Sequence, residues 1–311
     1  VVELTIALHR VFDSPRDAII FDTGHQSYVH KLLTGRQNFA TLRQRGGLAG
    51  YPQRSESEHD IVENSHASTS LSWADGISRA WAMTGQHDRT AVVVIGDGAL
   101  TGGMSWEALN NISDDNDRRL VIIVNDNGRS YAPTIGGLAR YLNNVRTRRG
   151  YRRLYYWTRR MAGRLLGGFG DVVYEAGHKA GQTIVRSSAP KGLYPNLGIK
   201  YIGPIPGHDV AAMEEALRQA KDYGEPVIVH AVTQKGRGFQ PAVDDVADQF
   251  HAVGRIDPET GETVGGASLP TWTDVFGDEL VKLGAANERI VAITAAMLRP
   301  TGLYPFAQAF P

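Results

Sequence analysis

The chain has 311 residues, with 33 Lys and Arg balanced by 33 Asp and Glu, no Cys, 35 Gly and 14 Pro. That length holds roughly two domains of about 150 residues, each large enough to bury a core without staples. Without Cys there is no disulfide framework, thiolate zinc site or thiolate nucleophile. With no apolar run near the ~20 residues of a membrane span and no signal peptide, the expectation is a cytoplasmic globular protein.

The first predicted element is a helix over 1–12, with Val1, Leu4, Leu8 and Val11 on one face. It has no N-cap and no preceding turn, so a chain that begins inside an element is the expectation. Ala18 to Phe21 is a short apolar strand leading into Asp22-Thr-Gly-His25. Residues 35–66 are polar and Gly-rich and predict loops around a short helix. A helix from Ser68 to Thr84, with Leu71, Ala74, Ile77 and Trp81 in register, stops at Gly85. Ala91 to Ile95 is a strand running into Gly96-Asp97-Gly98. A helix from Met104 to Ile112 follows, then a strand from Leu120 to Val124 running into Asn125-Asp126-Asn127.

Continuous apolar strands separated by helices predict an α/β fold, a parallel sheet covered by helices on both faces. Pro226 to Val232 predicts a further strand, preceded by a helix from Val210 to Tyr223 that Asp209 can cap. Residues 236–271, rich in Gly, Pro and Asp, predict a long connection. A helix from Thr273 to Leu283, a strand from Arg289 to Thr294 and a short helix ending at Phe310 close the chain. The expected organisation is a domain over 1–235, a connection over 236–271, and an incomplete second α/β domain over 272–311.

The even charge balance conceals an asymmetry. From Arg129 to Gly170 there are ten Arg and no Asp, Glu or Lys. Tyr151, Tyr155, Tyr156 and Trp157 are interleaved with them. Such a stretch serves either as a solvated helix or lid or as a surface for an acidic partner or nucleic acid. The first is the expectation, with no nucleic-acid partner.

Gly96-Asp97-Gly98 is followed, thirty residues after its Asp, by Asn127, each at the carboxyl end of a predicted strand of one βαβ unit. Ligands of open α/β sheets bind at that edge. Mg²⁺ takes oxygen donors, commonly one or two carboxylates with diphosphate oxygens. Asp97 offers a carboxylate and Asn127 an amide carbonyl, and a main-chain carbonyl near Arg129 offers a third donor. Glycines flanking Asp97 admit a diphosphate close to the backbone, and the N–H groups of the following turn can hold a phosphate. An ordinary strand-end turn also favours Gly, Asp and Asn. The pairing at this spacing favours the metal–diphosphate reading characteristic of thiamine diphosphate enzymes.

The surrounding segments narrow the resemblance. Asp22-Thr-Gly-His25-Gln-Ser-Tyr28-Val-His30-Lys31, Ser55-Glu-Ser-Glu-His-Asp60, Asn64-Ser-His66-Ala-Ser-Thr-Ser70 and Gly96-Asp-Gly-Ala-Leu-Thr-Gly-Gly-Met104 resemble, in order, segments of the 1-deoxy-D-xylulose-5-phosphate synthase family. Asn125-Asp-Asn-Gly-Arg-Ser130, Gly207-His-Asp209, Lys235-Gly-Arg-Gly-Phe239, Phe250-His251 and Ala292-Ile-Thr-Ala-Ala-Met297 continue it.

The resemblance implies a thiamine diphosphate- and Mg²⁺-dependent enzyme, a homodimer, acting on pyruvate and glyceraldehyde 3-phosphate. By the same resemblance Asp97 and Asn127 match metal ligands, to which the Arg129 carbonyl is the expected third. Gly98 and Ala99 match the diphosphate-binding backbone; Ser65, His66 and Ala67 match a cofactor-contacting turn. His25 and His251 match active-site histidines, and Phe239 stands where the family often has Tyr beside the cofactor. Arg43 matches an arginine that faces substrate. Gly is commoner than Ser65 in the family, and Asp than Pro206. The carboxylate that activates the aminopyrimidine is expected in a motif beyond Pro311, so a truncated synthase is the expectation. One subunit of a split transketolase-like enzyme is the alternative within that class.

Overall fold

The apolar segments rich in Val and Ile pair side by side in the computed structural model. It describes residues 1–63, 66–147, 197–251, 253–265 and 269–311. These divide into two compact units: Val1–Asn127 with Gly136–Thr233, and Gly128–Ile135 with Gln234–Pro311.

The first unit opens with helix α1 (Val2–Val11), strand β1 (Ala18–Phe21) and helices α2 (Tyr28–Leu33) and α3 (Ser70–Met83). Then come β2 (Ala91–Gly96), α4 (Gly103–Ser113), β3 (Leu120–Asp126), α5 (Gly137–Thr147), β4 (Lys200–Pro206), α6 (Val210–Tyr223) and β5 (Val227–Val232). The strands lie in the order β1-β2-β3-β5-β4, and every neighbouring pair is parallel.

Successive side chains of a strand point to opposite faces, and here both faces are covered. Val92, Val94, Val121 and Ile123 pack with Leu4 and Leu8 of α1 and Met213 and Leu217 of α6. Val93, Ile95, Ile122 and Val124 pack on the other side with Leu71 and Ala74 of α3 and Leu109 and Ile112 of α4. Two-sided burial is why these strands read as unbroken apolar runs. At ~1.5–3 kcal/mol for each fully buried aliphatic side chain, this double core dominates the unit's stability.

Two expectations change. Among the described residues of 35–66 there is no helix. Buried charges organise that loop instead: Arg36 grips the Asp60 carboxylate at 2.5 and 2.8 Å, and Lys31 meets Glu56 at 2.5 Å. The second unit contains α7 (Gln240–Asp244), α8 (Trp272–Ala286) and α9 (Tyr304–Ala309), and the strand predicted over Arg289–Thr294 does not form. Val291 and Ile293 are 80% and 93% exposed there, and among the described residues no strand pairs with this run to satisfy its backbone. Of the Arg-rich stretch, Gly137–Thr147 is helix α5, while Arg148, Arg149, Arg152, Arg153, Arg159, Arg160 and Arg164 lie outside the described residues.

Candidate cofactor site

β2 and β3 end level with one another, because Gly96 pairs with Asn125 in the parallel register. The residues that follow are therefore neighbours. Asp97, only 2% exposed, donates its backbone N–H to the Asn125 carbonyl at 3.2 Å. Its carboxylate accepts the backbone N–H of Asn127 at 3.3 Å. The two halves of the sequence motif are thus joined at the carboxyl edge of the sheet.

After Asp97 the chain passes through Gly98 into a single 3₁₀ turn, Ala99–Thr101, and then into α4. Thr101 donates its hydroxyl to the Gly98 carbonyl at 2.6 Å, which tightens the turn. The turn carrying His66 and Ala67 is fastened here from two sides. Ser68, left-handed at φ 71°, donates its backbone N–H to the Asp22 carboxylate at 2.9 Å and its hydroxyl to the Ala99 carbonyl at 2.6 Å. Ser70 donates its hydroxyl to the same carboxylate at 2.6 Å. Asp22, buried at the end of β1, therefore holds the 66–70 turn against the Asp97–Ala99 turn, with His66 and Ala67 exposed.

His25 is on the loop between β1 and α2, half-buried. Ser27 closes that loop by donating its hydroxyl to the Gly24 carbonyl at 2.7 Å. The next residue, Gln26, accepts a hydrogen bond from the Asn125 side chain at 3.3 Å, and Asn125 accepts from the Thr233 hydroxyl at 2.6 Å. The loops after β1, β2 and β3, and the 66–70 turn, thus converge on one edge. They bring together His25, His66, Ala67, Asp97, Gly98, Ala99 and Asn127. Ser65 lies outside the described residues.

Arg43 sits beside Tyr28, at the start of α2. It is exposed, left-handed at φ 62°, donates its Nε–H to the Tyr28 hydroxyl at 3.3 Å and lies over the Tyr51 ring at 5.3 Å. The Tyr28 hydroxyl holds its guanidinium above the ordinary value.

Arg129, Phe239 and His251 belong to the second unit. There Arg129 donates to the carbonyls of Tyr131 at 3.1 Å and Ala247 at 3.0 Å. Phe239 meets Phe250 edge-on, with ring centroids 6.0 Å apart. The His251 ring lies 4.0 Å from that of Tyr131.

Asp97 with Asn127 is a set of hard oxygen donors suited to a divalent cation whose remaining ligands come from a bound diphosphate. Among the described residues no group of three His, Asp or Glu side chains forms a complete metal cage. The residues sequence reasoning had not singled out are Asp22, Gln26 and Ser68. Their signal was an Asp at a strand end followed by Gly, and the dense Ser and Thr run at 65–70.

The family model described as 1-deoxy-D-xylulose-5-phosphate synthase matches residues 1–233, three-quarters of the chain. The chain belongs to the 1-deoxy-D-xylulose-5-phosphate synthase family. Proteins of that name from Leifsonia xyli subsp. xyli and Clavibacter sepedonicus are 71% and 67% identical over 313 residues, covering 100% of this chain and 48% of theirs. One from Thermobifida fusca is 58% identical over 311 residues, with the same coverage. The chain thus spans about half the length of the family members it matches. A solved transketolase from Leishmania mexicana is a looser likeness, with TM-score 0.45 and 17% identity over 70% of this chain and 28% of its own. No helix among the described residues is long and apolar enough to cross a membrane.

Proposed function

We propose that this chain forms the metal- and diphosphate-binding part of a thiamine diphosphate-dependent synthase. The reaction is the decarboxylation of pyruvate and transfer of the two-carbon unit to glyceraldehyde 3-phosphate, giving 1-deoxy-D-xylulose 5-phosphate. The observation that carries this reading is the hydrogen bond from the Asn127 N–H to the Asp97 carboxylate, at a sheet edge of a chain in this family.

In this reading Asp97 and Asn127 bind Mg²⁺ together with the main-chain carbonyl of Arg129. The N–H groups of Gly98 and Ala99, at the turn entering α4, would receive the diphosphate, whose charge a bound cation would offset. Ser65, His66 and Ala67 would contact the cofactor, His66 and Ala67 from the turn that Asp22 fastens, and Phe239 would offer an aromatic face. Thiamine diphosphate, when bound, supplies the carbanion and the electron sink for the cleaved keto acid. His25 and His251 hold and pass protons at the keto acid and aldehyde oxygens, work suited to imidazole near neutral pH. Arg43 offers a fixed positive charge to an anionic substrate. The protein in this reading is a cytoplasmic homodimer with no nucleic-acid partner.

Calorimetry with thiamine diphosphate, with and without Mg²⁺, tests the site. Binding that requires Mg²⁺ and weakens at least about tenfold in Asp97→Asn, a loss of ~1.4 kcal/mol, is the expected result. Binding indifferent to the metal, or equal in the variant, removes the site assignment.

A further inference from the structure

The second unit holds a cation against one nitrogen of a histidine. Lys235 Nζ lies 2.8 Å from Nδ1 of His251 and donates to the Ser130 carbonyl at 2.6 Å. A lysine ammonium has three donors and no acceptor, so in this contact the histidine nitrogen accepts. An Nδ1 that accepts carries no proton. The neutral imidazole then has its proton on Nε2, since which nitrogen is protonated follows from the hydrogen bond the other makes.

Two further contacts hold the ring. The ring is tilted against that of Tyr131, with centroids 4.0 Å apart and planes at 56°. The His251 backbone N–H is received by the Asp248 carbonyl at 3.2 Å and the Asp248 carboxylate at 3.1 Å. Lys235 is anchored in turn through Ser130, in the same short segment as Tyr131. One lysine therefore ties the ring nitrogen to the segment against which the ring packs.

We infer that Lys235 is a positioning residue that fixes His251 as the Nε2–H tautomer, making it a hydrogen-bond donor through Nε2. The consequence for substrate rests on the function proposed above: a donor suits an oxygen gaining negative charge, and the opposite tautomer would present a lone pair to it. The tautomer itself does not rest on that reading. Lysine also suits the task better than arginine geometrically. A compact ammonium makes a single directed contact with a ring nitrogen, whereas a guanidinium presents a planar fork.

Nitrogen-15 NMR of the whole chain labelled at histidine, recorded above the imidazole titration range without cofactor or substrate, reads this directly. The expected wild-type spectrum has His251 as a single Nε2–H tautomer. Lys235→Met, which keeps the length and removes the donors, should mix the two tautomers while the resonances of the buried His30 and His230 stay in place. Lys235→Arg should restore the Nε2–H form in part. A wild-type spectrum with the proton on Nδ1 overturns the inference whatever the variants do, including if Lys235→Met fails to fold. So does a folded Lys235→Met whose His251 tautomer is unchanged. Since no ligand is present, failure here is distinct from failure of thiamine diphosphate binding.

Discussion

Gly102 illustrates how much of the candidate site depends on single atoms. A Cβ there would lie 2.1 Å from Ser68 Oγ and 2.7 Å from Ser68 Cβ, although its backbone, at φ −70° and ψ 144°, suits any residue. The requirement is space alone, for the approach of the 66–70 turn. Gly102→Ala should cost about 1–3 kcal/mol in denaturant unfolding and weaken thiamine diphosphate binding by releasing Ser68 from the Ala99 carbonyl. Gly103→Ala, with nothing within 4 Å, should be neutral or slightly stabilising. Equal effects at the two positions would refute the packing argument.

A second residue-scale argument concerns the buried network below β1. Asp60 accepts from His30 Nε2 at 3.1 Å, and His30 Nδ1 meets His9 Nε2 at 2.9 Å. Burial raises the Asp60 carboxyl, but the hydrogen bonds from His30 and Arg36 outweigh it and hold the group well below its usual range. Burial first, then the nearby His30 and His59, depress His9 to about 4. An unfolded histidine titrates near 6.5, so the unfolded chain binds the extra proton between about 4 and 6.5. Stability from His9 is thus complete above about 6.5 and lost as pH falls toward 4; that from Asp60 is lost only at more acid pH. Denaturation midpoints measured across this range should fall with acid, and His9→Gln should flatten the slope. An unchanged slope would clear His9 of the effect. The motif residues Asp97 and Asn127 were legible from spacing, whereas this network was not. It joins residues 9, 30, 36 and 60, which only the fold brings together.

Whole elements were legible where their patterns served a two-sided core, and lost where position in the sheet relaxed the rules. α6 was readable in full, because Asp209 caps it by accepting the Ala212 N–H at 3.2 Å and Gly224, left-handed at φ 67°, ends it. Asp209→Ala should cost about 1 kcal/mol in thermal or chemical unfolding; Asp209→Ser should recover most of it, and a loss common to both would show the cap is not the cause. β4 went unread because Gly203, Pro204 and Pro206 interrupt it. Among the described residues it is an edge strand, hydrogen-bonded to β5 alone, with one side where a missing N–H costs nothing, and its register shifts between Ile202 and Ile205, around Gly203-Pro204. The strand predicted at Arg289–Thr294 fails for the opposite reason. Its pattern is good, but a strand is a property of a pair, and no pattern within one segment supplies the partner.

At the scale of the molecule, the two units differ in how much apolar surface they bury among themselves. The first carries both faces of the sheet, including Val92, Val93, Ile122 and Ile123 at 0% exposure. In the second, the buried apolar side chains among the described residues are Ala242, Leu303 and Phe306, and its longest helix, α8, exposes Trp272 at 89%, Val275 at 52% and Phe276 at 50%. Local opening free energies track buried contacts, so the difference should be measurable amide by amide. Hydrogen exchange of this chain should give the strongest protection in β2, β3 and β5, whose N–H groups are paired on both sides within a dry core. Amides of α8 and α9 should exchange at least about tenfold faster, equivalent to ~1.4 kcal/mol of opening free energy. Protection in α8 equal to that of β3 would mean that the second unit opens only with the sheet. His251, Phe239 and Arg129 would then ride on as firm a support as Asp97 does. Faster exchange would place those three on the more pliable unit.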